Sequence, residues 1–338
     1  MTLILTCATP RYLIQVSDRL VTVDSNAHDS ASNKSVIFQA KNAIVTLAYT
    51  GLAYMEGIPT DSWLATNLSG TPVLEAEPGR PWALGVGGPR SFPDIGRALE
   101  ATRAKLELAY SRLQPKLQQK RFQVSGCGWQ WKLRGQRFRA RPILFVIENG
   151  LALSKRREFS LTLEPRYWHL DGGRLGRLND IPNGQLSETE LQAIAHQMER
   201  DNRGQHPTST IDILVEAIRE ASQSRPEVGA DCMVVYMPMP SHRRVEAAYV
   251  PAITDNRGSE PCYSPWVISQ YTQSAPCELI GDWQVGLGRF TVSLHGAPAQ
   301  TGWPPGFPDP PEELKQLSPN WRGWRMVRFG SQKRRAPR

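Results

Sequence analysis

The sequence predicts an α+β fold, with antiparallel sheets covered by helix pairs in a layered sandwich and an irregular C-terminal extension. Two observations carry this. Strand-like runs come in hairpins and helix-like runs in pairs, in the order four strands, two helices, about three strands, two helices, two strands. A doubly wound parallel sheet would alternate strand and helix instead. The composition also changes after about residue 250, where Pro, Gly and Trp become dense, so the reading divides the chain into a domain over 1–250 and an extension over 251–338.

The elements follow in order. Residues 3–8 (LILTCA) and 12–17 (YLIQVS) read as strands, the second ending at Asp18-Arg19. Residues 24–33 (DSNAHDSASN) are rich in turn formers and read as a polar loop. Next come 35–40 (SVIFQA) and 43–49 (AIVTLAY), split by the turn-like Lys41-Asn42, with Gly51 closing the fourth strand. Residues 60–68 predict a short helix capped by Thr60 or Asp61. A Gly/Pro-dense loop over 69–93 precedes an amphipathic helix over Asp94–Leu117, whose Ile95, Leu99, Thr102, Leu106, Ala109, Tyr110 and Leu113 recur at three and four. Strands are expected at 122–127, 142–147 and 159–163. Ser187 followed by Glu190 is a capping-box spacing ahead of Leu191, Ile194, Ala195 and Met198. A second helix, capped by Ser209 or Thr210, carries Ile211, Leu214, Val215 and Ile218. Residues 231–237 and 245–250 read as a last hairpin.

In 252–338 five tryptophans (Trp266, Trp283, Trp303, Trp321, Trp324) accompany a rigid stretch at 302–314, GWPPGFPDPPEEL, and two or three strands are expected within 279–295. This segment reads as an extension wrapped on the first domain or as a partner-binding arm.

The 338 residues, 40% hydrophobic and 21% charged, are ordinary for a soluble globular protein. The longest apolar runs, such as Ala43–Ala48 and Pro142–Ile147, are strand-length, so no membrane partner is expected. The start lacks a basic n-region and does not read as a signal peptide. Cys7, Cys127, Cys232, Cys262 and Cys277 are scattered and odd in number, which argues against a disulfide framework or zinc site and for a cytoplasmic location. Cys7 and Cys232 read as small core residues. The six histidines show no metal spacing, and the Gly-rich GVGGP at 85–89 lacks a βαβ setting, so no cofactor is expected. The net charge of +8 concentrates in 97–141 (Lys116, Lys120, Arg121, Lys132, Arg134, Arg137, Arg139, Arg141) and in the tail SQKRRAPR. No recognised nucleic-acid module accompanies it, so a solvated basic face is favoured over nucleic acid as partner.

Thr2 is the candidate for chemistry. With Met1 removed it would carry a hydroxyl nucleophile and a free amine, a base, on one residue. Thr2-Leu3 opens the first strand, SDRLVT spans 17–22, NKSVIF spans 33–38 and AYTGLA spans 48–53. Asp18 lies sixteen residues after Thr2, and Lys34 sixteen after Asp18.

Over roughly 2–250 this pattern resembles the proteasome-type N-terminal nucleophile hydrolases, the proteasome β-subunits and their bacterial relatives. The resemblance implies a four-layer αββα sandwich, a peptide or other amide substrate, and a homo-oligomer, by analogy a ring. It also implies roles. Thr2 would attack and its amine would take the proton; Lys34 would stabilise the alkoxide; Asp18 would orient Lys34; the Gly51 N–H would face the oxyanion. A buried Lys needs such a carboxylate, because an unpaired buried charge is costly. The family's Gly-Ser support for the amine has no counterpart in 164–184; Ser125, Asp171 and Asp231 are the loose candidates. A catalytically inactive scaffold that binds a partner through its extension is the alternative.

Overall fold

The computed structural model describes residues 2–23, 26–29, 32–70, 84–85, 92–134, 137–149, 158–165, 167–181, 186–202, 207–239, 245–250, 265–268, 273–274, 284–287 and 290–294. The connector at 302–314, the tail, and nearly all of 69–93 beyond Gly70 therefore lie outside the described residues.

The first strands are β1 (Ile4–Ala8), β2 (Tyr12–Asp18), β3 (Val21–Val23), β4 (Asn26–Asp29), β5 (Ser35–Ala40), β6 (Ala43–Thr50), β7 (Tyr54–Met55) and β8 (Ile58–Pro59). Helix α1 (Thr60–Ser69) and strand β9 (Leu84–Gly85) precede α2 (Ile95–Ser111) and the short α3 (Pro115–Gln118). Strands β10 (Gln123–Arg134), β11 (Arg137–Asn149), β12 (Phe159–Leu163), β13 (Trp168–Leu170) and β14 (Gly176–Ile181) follow. Then come α4 (Glu188–Asn202), α5 (Pro207–Ser224), β15 (Cys232–Pro238) and β16 (Val245–Val250). The chain after 250 adds β17 (Trp266–Ile268), β18 (Gln273–Ser274), β19 (Gln284–Leu287) and β20 (Phe290–Leu294).

Among the described residues these strands form two large sheets, ordered β13-β14-β1-β2-β15-β16-β20-β19 and β12-β11-β10-β6-β5-β17-β18-β9. The pairing is antiparallel except where the chain after 250 joins, since β20 lies parallel to β16 and β17 parallel to β5. That segment thus contributes strands to both sheets.

Alternation along the strands sorts the core. Val45, Leu47 and Tyr49 of β6 pack with Leu64 and Leu68 of α1 and Leu99 and Leu106 of α2. Leu5, Cys7, Ile14 and Val16 pack with Leu191 and Ile194 of α4 and Leu214 and Ile218 of α5. Leu13, Met233 and Val235 of one sheet meet Ile37, Cys127 and Trp129 of the other. Burying each such aliphatic side chain contributes about 1.5–3 kcal/mol. Cys7 and Cys232 are core thiols, as the sequence predicts, and burial pushes Cys7 up to about 12.

Several boundaries differ from expectation for physical reasons. The polar loop at 24–33 contains β4, paired with β3. Thr60 does not cap α1, because its hydroxyl donates to the Leu52 carbonyl (2.8 Å) and Pro59 holds the N-cap position. Helix α2 stops at Ser111, four residues before Pro115, which lacks the N–H a continuing helix needs. Its first N–H is held by Asn42 Oδ1 (2.8 Å), a partner distant in sequence. Helix α5 begins at Pro207, so Thr210 lies inside it and its hydroxyl meets the Tyr12 hydroxyl at 2.9 Å. The strands expected at 122–127 and 142–147 extend into one long hairpin, β10–β11, with Gln130 accepting from Arg141 (2.8 Å) across it. The capping box is present: Glu190 N donates to Ser187 Oγ (3.2 Å) and Ser187 N to Glu190 Oε2 (2.6 Å).

Candidate active site

The sheets meet at a polar band between otherwise apolar faces. Gln15 of β2 accepts from Thr46 of β6 (3.2 Å), and the hydroxyls of Ser17 and Ser35 lie 3.3 Å apart. Asp18 and Lys34 are the chain neighbours of those two serines. One cross-sheet contact therefore fixes the end of β2 against the start of β5. Thr2 precedes β1, whose register sets Ile4 opposite Ser17 and so brings the chain start alongside Asp18.

Thr2, Asp18 and Lys34 converge. Lys34 Nζ donates to Thr2 Oγ1 (2.7 Å), to the Leu20 carbonyl (2.5 Å) and to Asp18 Oδ2 (3.4 Å). Lys34 is 1% exposed and Asp18 0%, so the pair is screened from water. An ammonium has three donors, and three acceptors surround this one. Lys34 can therefore steady negative charge on Thr2 Oγ1 but offers it no lone pair.

Asp18 is bound on every side. Its Oδ1 accepts from Leu3 N (2.9 Å), and its Oδ2 from Gly229 N (2.9 Å) and Leu20 N (3.2 Å) as well as from Lys34. Burial pushes its carboxyl above the ordinary range, while Lys34 and the Gly229 and Leu3 N–H groups oppose that shift. Asp18 thus holds both Lys34 and the Thr2-Leu3 peptide.

The residue before Lys34 is anchored too. Asn33 Nδ2 donates to Asp61 Oδ2 (2.8 Å) of α1, which also accepts from Trp266 Nε1 (3.1 Å) of β17. Burial raises the Asp61 carboxyl to about 6.

Gly51 follows the last residue of β6 with φ +112°, in the left-handed region. A Cβ there would lie 2.3 Å from the Arg121 carbonyl oxygen, so no side chain fits. Its neighbour Thr50 accepts from Thr2 N at 3.1 Å.

The loose candidates for amine support make other contacts among the described residues. Ser125 is buried in β10, and its carbonyl accepts from Gln15 Nε2 (3.4 Å). Asp171 starts an exposed turn after β13, beside the Ala8 end of β1 rather than the Thr2 end. Asp231 offers its carbonyl to Arg19 N (3.1 Å). Thr50, Asn33 and Gly229 are the members that sequence reasoning missed. Thr50 lies within the motif AYTGLA, directly before Gly51.

No family model and no curated protein matches the chain. Among solved structures it is similar to Anbu from Hyphomicrobium sp. strain MC1, at 13% identity over 70% of this chain and 82% of that one, with a TM-score of 0.40. It is also similar to the Anbu complex of Pseudomonas aeruginosa, described as a helical assembly, at 11% identity, 76% and 88% coverage and a TM-score of 0.43. A third is Anbu, the ancestral beta-subunit, from Yersinia bercovieri, at 10% identity, 70% and 81% coverage and a TM-score of 0.35. Likeness at this level carries no argument about activity, which has to come from the geometry of the residues. Among the described residues no helix is long and apolar enough to cross a membrane.

Proposed function

We propose that the chain is an N-terminal threonine hydrolase, cleaving peptide or other amide bonds through an acyl-enzyme ester. The supporting observation is the 2.7 Å bond from Lys34 Nζ to Thr2 Oγ1 inside a buried, carboxylate-paired site. A neutral hydroxyl is a poor nucleophile, and a fixed cation at its oxygen stabilises the alkoxide that forms as it attacks.

Removal of Met1 would free the Thr2 amine. The amine takes the hydroxyl proton, the Thr2 Oγ1–carbon bond forms, and the Gly51 N–H faces the developing oxyanion. The carbon–nitrogen bond of the substrate then breaks, and the amine returns its proton to the leaving nitrogen. Water adds to the ester, the oxygen–carbon bond of the ester breaks, and Thr2 regains its proton. In this reading Lys34, held by Asp18 and the Leu20 carbonyl, supplies positive charge at Thr2 Oγ1, and the α-amine is the base.

We also read the two helix-covered sheets as the four-layer αββα sandwich of the proteasome-type class, in a domain over 1–250 carrying the 251–338 extension. A homo-oligomer belongs to the same reading, and a mass measurement in solution tests it. For the activity, the test is labelling by an electrophilic peptide probe for threonine nucleophiles. Labelling of the wild type and none of Thr2→Ala is expected; equal labelling of both would sink the proposal.

A further inference from the structure

The amine that this mechanism needs has no sequence-predicted support, yet the fold supplies a partner. Thr50 is 3% exposed and ends β6. Alternate residues of β6 turn Val45, Leu47 and Tyr49 toward the helices, while Thr46 reaches Gln15 and Thr50 reaches Thr2 N in the facing sheet. Opposite Thr50 in the β6–β10 ladder stands Gln123, so the two share a face. Gln123 is fully buried. Its Nε2 donates to Glu148, whereas its Oε1 has no hydrogen-bond partner among the described residues. Buried polar atoms are seldom left this way.

Removal of Met1 changes what this spot must accept. The Thr2 peptide nitrogen has one N–H, which Thr50 Oγ1 already takes. A free amine has two hydrogens when neutral and three when charged. A threonine hydroxyl offers lone pairs and one donor, and an amide oxygen offers two lone pairs. Thr50 and the unfilled Gln123 oxygen are thus acceptors matched to a protonating amine.

We propose that Thr50 holds the Thr2 α-amine and that Gln123, opposite Thr50 in the ladder, offers its unfilled amide oxygen to the further hydrogens of that amine. Anchoring one N–H stops rotation about the N–Cα bond, so the neutral amine keeps its lone pair in one orientation relative to Oγ1. Accepting from the ammonium also stabilises the protonated form. For its catalytic meaning this proposal rests on the threonine-hydrolase reading; the binding of the amine does not.

The test pairs two readouts on protein whose intact mass shows Met1 removed. One is the probe-labelling rate against pH, and the other is the α-amine pKa from ¹⁵N chemical shifts of threonine-labelled protein. Thr50→Val keeps the shape and removes the acceptor. It should slow labelling roughly tenfold, the worth of about one hydrogen bond, and move both the amine pKa and the acid limb to lower pH. Thr50→Ser should restore both. If Thr50→Val does not fold, Gln123→Met carries the test, with a loss of roughly threefold expected. Wild-type rate and amine pKa in the folded variant overturn the proposal and leave the hydrolase reading standing. A shifted amine pKa in a protein whose wild type never labels does the reverse. A retained Met1 overturns both.

Discussion

The two sides of Thr2 are built on different physical terms. On one side a buried ion pair, Lys34 with Asp18, meets the hydroxyl, and each charge is fully occupied. On the other side a neutral threonine, Thr50, meets the nitrogen, with Gly51 next to it in the left-handed region. Charges buried this deeply are tolerated only when paired, so the first side is rigid and intolerant of change. The second is a matter of hydrogen-bond orientation and should fail more gently.

The largest effect should come from the charged side. Lys34→Met removes the only described cation at Thr2 Oγ1, and labelling should fall roughly 10²–10³-fold, as for loss of an oxyanion donor. A rate within tenfold of wild type would reverse the ranking of the two sides. Asp18→Ala strands Lys34 and frees three backbone N–H groups. Urea unfolding should show a loss of about 3–5 kcal/mol; a loss below about 1 kcal/mol would mean the pair is not held as described.

Asp61 extends the charged side through Asn33. Its carboxyl is raised from 3.8 to about 6, so folding favours the neutral acid. Its contribution to stability is greatest below the unfolded value and falls as pH rises through the folded one. Between pH 4 and 6 the wild type should lose up to about 3 kcal/mol relative to Asp61→Asn, and parallel pH–stability curves would remove Asp61 from the account. Gly51→Ala tests the neutral side. The strained φ and the approach to the Arg121 carbonyl should cost about 1–3 kcal/mol, with a lower melting temperature and slower labelling. An unaffected Gly51→Ala would show that this turn relaxes freely.

The same contrast explains what was legible in the sequence. Asp18 and Lys34 stand out only through their two sixteen-residue intervals from Thr2 and the resemblance these carry, since either residue taken singly reads as an exposed turn residue. The hairpins β1–β2 and β5–β6 were legible from their β-branched runs, and the Ser187–Glu190 capping box from its spacing. Thr50 looked like one more strand-forming threonine, and its role depends on which face of β6 it occupies. Gly229 and Leu20 act through backbone groups, which leave no residue-type signal. Strands β13 and β14 give no strand signal because GRLNDI spaces its two apolar residues, Leu178 and Ile181, three apart instead of alternating them, although β14 flanks the strand that follows Thr2. The strands after 250 pair in parallel with distant partners, a connection that local pattern cannot reveal.

Thr2 can be a terminal nucleophile only if its amine is free, and intact mass reads both points at once. Wild-type protein is treated with an electrophilic peptide probe, and its intact mass and N-terminal peptide are determined. Met1 should be absent, and one adduct should sit on Thr2. Retained Met1 with no adduct on Thr2 would contradict the hydrolase reading.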